Sequence, residues 1–89
     1  SAQEVIAHLK QQDFKIYSIE LDTRSIDYKI LYKNTPENIC FVLGNEILWV
    51  NKNILDESDK IVMIPMLWNK ESLNVSVAAG IVMYATVDV

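Results

Sequence analysis

One cysteine, one histidine and one arginine are the scarcest reactive side chains of this 89-residue sequence. Cys40 has no second cysteine with which to form an internal disulfide, and one cysteine with one histidine makes no metal site. Cys40 sits inside an apolar run and reads as a buried, inert thiol. His8 falls on a predicted helix and reads as exposed or locally satisfied, and Arg24 falls in a turn and reads as a surface charge. The two glycines, Gly44 and Gly80, lie far apart, so neither a phosphate-cradling loop nor a G-x-G-x-x-G fingerprint can be built. That argues against a Rossmann-type methyltransferase or dehydrogenase. Three further polar residues stand beside apolar runs: Glu46, Ser72 and Asn74. Taken singly, Ser72 is a helix cap worth about 1 kcal/mol. Asn74 is a first-turn polar residue and Glu46 an exposed carboxylate. Gly44 and Pro65 end strands, and Ile64, Met66 and Leu73 are core residues.

The elements that would position these residues follow from local pattern. Residues 1–12 predict a helix, with Ser1 as cap and Glu4 at the capping-box position. Val5, Ile6 and Leu9 form its apolar stripe. Residues 14–19 are β-branched and aromatic enough for a strand. A turn at 22–24 follows. Residues 25–32 fit a helical turn through Ile26, Ile30 and Leu31, or a strand face through Tyr28, Ile30 and Tyr32; a short irregular segment is expected. Pro36 marks a loop at 34–37. The continuous apolar run 39–43 predicts a central strand covered on both faces. A short helix over 50–58 with Asn51 as cap and a buried strand over 60–64 come next. Val75, Val77, Ile81 and Val82 favour a strand. Ser72 as a cap and the small residues Ala78-Ala79-Gly80 favour a helix to about residue 86, buried on most sides. The order of elements predicts one α/β domain over 1–89 with a mainly parallel sheet.

Composition narrows the partners. A chain this short buries only about 60–65% of its unfolded surface, while 51% of its residues are apolar. That balance favours a homodimer. No apolar stretch reaches membrane-spanning length and no signal-peptide pattern is present, so a cytoplasmic location is expected. The net charge of −4, with seven dispersed lysines and one arginine, lacks the basic stripe of a nucleic-acid grip.

Taken jointly, the order of residues says more than any one of them. Leu43-Gly44-Asn45-Glu46, Ile64-Pro65-Met66 and Ser72-Leu-Asn-Val-Ser-Val-Ala-Ala-Gly-Ile81 closely resemble the two C-terminal motifs of the SpoU/TrmH class of SPOUT methyltransferases. The resemblance implies a minimal α/β-knot domain with a C-terminal trefoil knot. It also implies S-adenosylmethionine as cofactor, RNA ribose 2'-hydroxyls as substrate, and a dimer joined through the last helix. Matched residue by residue, Leu43, Gly44, Ile64, Met66 and Leu73 would line an apolar cofactor slot. Ser72 and Asn74 would be polar positions near the methyl group and ribose, and Glu46 would order the loop beside the substrate.

The sequence departs from that family in three places. Trp49 replaces the glycine usual three residues after the motif glutamate, and Trp68-Asn69 stand where the next loop usually carries a glycine. The family's first motif, which supplies an asparagine and an arginine to the ribose and the RNA phosphate, has no match here. The resemblance therefore implies either a shortened 2'-O-methyltransferase domain or an inactive knotted domain that keeps its fold.

Overall fold

The computed structural model describes residues 1–20, 22–32, 35–43, 52–65 and 75–87. The chain opens with α1 (Ala2–Gln11). Ser1 caps it as its sequence dictates: the hydroxyl accepts from the Glu4 amide at 3.3 Å, and the Glu4 carboxylate lies 3.8 Å from the terminal ammonium. The helix ends in a Schellman arrangement. The Phe14 amide donates to the Leu9 carbonyl and the Asp13 amide to the Lys10 carbonyl. Asp13 supplies the left-handed residue this stop requires, at φ 70°, where glycine is usual.

Among the described residues, four strands form one parallel sheet, β1 (Lys15–Ile19), β2 (Ile26–Asp27), β3 (Ile39–Leu43) and β4 (Lys60–Met63), in the order β2-β4-β1-β3. β1 holds the centre, with Lys15 to Ile19 in register with Ile39 to Leu43 on one side and Tyr17 to Ile19 with Lys60 to Val62 on the other. Central placement explains why Ile16, Tyr17 and Ser18 are all buried, although consecutive strand residues point to opposite faces. On one face Tyr17 and Val62 pack with Leu31, from the 3-10 turn Tyr28–Leu31, and with Val82, from α3 (Val75–Ala85). Phe41 meets Tyr17 edge-on, with ring centroids 6.2 Å apart. Ile61 packs with Leu55 of α2 (Lys52–Glu57), with Val42 and Ile54 beside them. Helices thus cover both faces, as parallel sheets require.

Two side-chain locks tie the start of β4 to β1. The Asp59 carboxylate accepts the Ile16 amide at 2.7 Å, while the Asp59 amide donates to the Ile16 carbonyl at 2.8 Å. The Ser18 hydroxyl meets that of Ser58 at 2.6 Å, and Ser58 donates to the Ile54 carbonyl at 2.8 Å.

Several expectations need correcting. β3 is a margin of the described sheet and not a central strand, since its neighbour there is β1 alone. Cys40 is accordingly half-buried. Residues 25–32 contain both anticipated shapes in turn, a two-residue strand and then a 3-10 turn. α3 is helical despite its valines, yet it leaves Val77, Met83 and Tyr84 exposed and is not buried on most sides. Asn51 and Ser72, the expected caps, lie outside the described residues, as do the first residues of the last predicted helix. The described residues do not by themselves display the trefoil knot.

A row of strand ends as candidate functional site

Register makes the carboxyl ends of the strands level. Ile19 faces Leu43 on one side and Val62 on the other, and Val62 in turn faces Ile26. At the usual strand spacing, Leu43 and Val62 stand about 10 Å apart across Ile19. The segments that follow β1, β3 and β4 therefore leave from one edge of the sheet. In open parallel sheets that edge, where successive connections diverge to opposite sides, is where ligands bind. Here β3 lies to one side of β1 and β4 to the other, so the ends of β3 and β4 flank the end of β1.

The eight candidate residues divide unevenly. Leu43 ends β3 with 44% of its surface exposed, and Ile64, just past β4, is partly buried against the core. Both are apolar and both rise from the same edge, which suits the wall of an apolar slot. Gly44, Glu46, Met66, Ser72, Leu73 and Asn74 lie outside the described residues, as do Trp49 and Trp68. Pro65 follows directly on Ile64 beyond the strand.

The connection after β1 is built as a self-bonded turn. The Asp22 carboxylate accepts both the Arg24 amide, at 2.9 Å, and the Arg24 Nε, at 3.0 Å. The Ser25 hydroxyl accepts the Asp22 amide at 2.7 Å and donates to the Glu20 carbonyl at 2.6 Å. Arg24 then reaches α2 through Asp56, at 2.7 Å. The guanidinium hydrogen bond holds the Asp22 carboxyl below its ordinary value, and the two carboxylates raise Arg24. Arg24 is thus an exposed but engaged cation. Its link to Asp56 was not readable from sequence, because 32 residues separate the two. His8 lies 3.1 Å from Gln12 on the exposed side of α1, as expected of a surface residue.

A second feature escaped the sequence reading. Between the 3-10 turn and α3 runs an apolar groove of about 780 Å³, lined by Tyr28, Tyr32, Val77, Gly80, Ile81 and Tyr84 among others. Its signal was present: Val77, Gly80, Ile81 and Tyr84 recur at helical spacing along one stripe. Tyr84 is 70% exposed, and a side chain built on Gly80 would meet nothing within 4 Å. Among the described residues no helix is long and apolar enough to cross a membrane, and no cluster of three or more acidic, cysteine or histidine side chains is placed to hold a metal.

Residues 1–84 match the sequence model of the SpoU rRNA methylase family. The chain belongs to that family. This is the SpoU/TrmH class that its motifs resemble, and the matched span takes in all eight candidate residues. The tRNA (guanosine(18)-2'-O)-methyltransferase of Escherichia coli K12 is 31% identical over 81 residues, which is 91% of this chain and 34% of the enzyme. The Aquifex aeolicus enzyme of the same name is 34% identical over 79 residues, covering 89% of this chain and 36% of its own. Among solved structures, the A. aeolicus TrmH/SpoU tRNA modifying enzyme superposes with a TM-score of 0.79 at 30% identity, over 97% of this chain and 43% of that one. The SpoU methyltransferase AviRb of Streptomyces viridochromogenes, at 20% identity and a TM-score of 0.73, shares the fold. This family member spans about a third of the length of the curated relatives it matches.

Proposed function

We propose that this chain forms the cofactor-binding part of an S-adenosylmethionine-dependent RNA ribose 2'-O-methyltransferase, with tRNA or rRNA as substrate. The observation that carries the reading is the level row of strand ends, with apolar Leu43 and Ile64 on either side of central β1. Leu43, Gly44, Ile64, Met66 and Leu73 hold the cofactor's adenosine in an apolar slot. The cofactor supplies an electrophilic methyl group. A ribose hydroxyl is a weak nucleophile, so its proton has to be withdrawn or stabilised as it reacts. Ser72 and Asn74 orient the ribose, and Glu46 orders the loop beside it. The tRNA 2'-O-methyltransferase names of the relatives support the substrate class. The reading includes a trefoil knot that draws the three loops together, a cytoplasmic location, and a homodimer closed over the groove between α3 and the 3-10 turn.

Calorimetric titration with S-adenosylhomocysteine tests this reading. Saturable binding is expected, and no heat at millimolar ligand would remove it.

A second reading is favoured by Arg24. This sole arginine is held by Asp22 and Asp56, and the chain carries a net charge of −4. In that reading the domain keeps its fold, its dimer contact and weak cofactor binding but transfers no methyl group. Incubation with tRNA and radiolabelled S-adenosylmethionine separates the two: label in the tRNA supports the first, and cofactor binding without label supports the second.

A further inference from the structure

The side chain of Arg24 joins the connection after β1 to α2. The run of bonds that places it starts in the sheet. The Glu20 amide donates to the Val62 carbonyl at 3.1 Å, and the Glu20 carbonyl accepts the Ser25 hydroxyl at 2.6 Å. That hydroxyl accepts the Asp22 amide at 2.7 Å, and the Ser25 amide donates to the Asp22 carbonyl at 3.0 Å. The Asp22 carboxylate takes the Arg24 amide and Nε at 2.9 and 3.0 Å. A second guanidinium nitrogen donates to the Asp56 carboxylate of α2 at 2.7 Å. Arg24 thus closes an unbroken path from β4 to α2.

Most exposed ion pairs contribute little, because fixing two long side chains costs entropy and salt screens the charges. Arg24 differs on the first count. Asp22 already holds its guanidinium, so the bond to Asp56 orders little more. The planar fork also keeps two carboxylates at one spacing, which the point charge of a lysine does not. α2 depends on such ties, since six residues are too few to hold a helix unaided. Ile54 and Leu55 pack toward Ile61 and Val42, and Glu57 pairs with Lys10 of α1 at 3.2 Å. Those contacts hold α2 to the sheet and to α1, and Arg24 ties it to the turn after β1. Residues 44–51 run from Leu43 to Lys52, so the placement of α2 decides where the segment carrying Gly44 and Glu46 has to end.

We propose that Arg24 is a positioning residue for the cofactor slot: through Asp56 it sets the spacing between the connection after β1 and the connection that runs from β3 into α2. The proposal rests on the cofactor reading given above. Without the bond α2 samples placements that leave the two connections out of step. The apparent affinity for cofactor then falls with the fraction of molecules in the competent arrangement.

Calorimetric titration of the 89-residue chain with S-adenosylhomocysteine tests it. Arg24→Ala and Asp56→Asn are each expected to weaken binding about three- to fivefold, the population shift that one exposed pair can hold. The double variant is expected to bind no more weakly than either single one, because all three lack the same bond. Lys10→Ala removes an ion pair of the same helix, its tie to α1, and is expected to leave the affinity within about twofold of wild type. Raising sodium chloride to about 1 M should narrow the gap between wild type and Arg24→Ala, since the bond it screens is present only in the first. Amide exchange by NMR without ligand supplies a second measurement. In Arg24→Ala the amides of Asp56 and Glu57 should exchange about threefold faster, while those of Ile16, Tyr17 and Ser18 stay as slow as in wild type and show the fold intact. An equal loss of affinity in Lys10→Ala would reduce Arg24 to a general support of α2 and overturn the proposal. So would additive losses in the double variant, or wild-type affinity in Arg24→Ala. Faster exchange in α2 with unchanged affinity would overturn it too, and would leave the cofactor reading standing. A wild-type chain that binds no S-adenosylhomocysteine removes that reading and this proposal with it.

Discussion

Replacing Ser58 by alanine should destabilise the protein far more than replacing Ser18, although the two hydroxyls share one hydrogen bond. Ser58 gives its proton to the Ile54 carbonyl at 2.8 Å. The contact between the hydroxyls at 2.6 Å must then run from Ser18 as donor to Ser58 as acceptor. Ser18 has no exposed surface. In Ser58→Ala its hydroxyl is left buried without an acceptor, which costs about 1–3 kcal/mol. The Ile54 carbonyl at the end of α2 also loses its hydroxyl donor, because the Ser58 amide is directed to Leu55 instead; that loss adds about 0.5–1.5 kcal/mol. In Ser18→Ala the bond from Ser58 to Ile54 survives and no buried donor is orphaned, so the cost is about 0–1 kcal/mol. The double variant should then be more stable than Ser58→Ala alone, because removing the Ser18 hydroxyl relieves the orphan. Urea unfolding reads this directly. With a slope near 1 kcal/mol/M, Ser58→Ala should lower the midpoint by about 2 M. Equal costs for the two single variants, or simple additivity in the double, would refute the directed chain of bonds.

Other outcomes follow from the same geometry. Asp13→Gly should stabilise the protein by about 0.5–1 kcal/mol, raising Tm by roughly 2–8 °C, because glycine adopts the left-handed stop of α1 without a Cβ clash; calorimetric melting checks it. The Asp22 carboxyl, lowered by its hydrogen bond from Arg24, binds its proton less readily when folded than when unfolded. Its contribution to stability is present above the unfolded value and is lost as pH falls through the folded one. In Arg24→Ala an NMR titration should find that carboxyl moved up toward 3.8. Tyr17 is raised above 10.0 by burial first and by the Asp59 charge second. Stability should therefore decline as pH climbs past 10.0, and absorbance titration should show Tyr17 ionising with unfolding. Trp49→Gly should tighten S-adenosylhomocysteine binding if the indole obstructs the slot, and calorimetry showing unchanged or weaker affinity would count against that obstruction.

Local chemistry made much of this fold legible. The serine cap, Glu4 and the Ile6 stripe announced α1, and β-branched runs announced β1, β3 and β4. Residues 26–31 resisted reading because a two-residue strand is too short to display a period. Leu31, wholly buried at the centre of the core, was therefore read only as one of three apolar residues on a short face. β3, expected at the centre, lies at a margin of the described sheet, because an apolar run reports what a strand needs and not which neighbours it has. The Arg24–Asp56 and Ser18–Ser58 bonds join residues far apart in sequence, which no periodicity can reveal. The candidate site was legible only as a joint order of residues: Leu43 and Ile64 each read as ordinary core until the register set them along one edge.

The described sheet, whose ladders are all parallel, contains no hairpin from which to start. Lys15 must find Ile39, Tyr17 must find Lys60 and Ile26 must find Val62, each across a long intervening stretch. Closing such loops consumes chain entropy before any contact repays it, so folding of this small body should be slow, nearer milliseconds to seconds than microseconds. During that interval the Ile-Cys-Phe-Val-Leu segment is sticky and uncovered. Yield in the cell should therefore depend on chaperone supply and expression temperature more than the final stability alone would suggest.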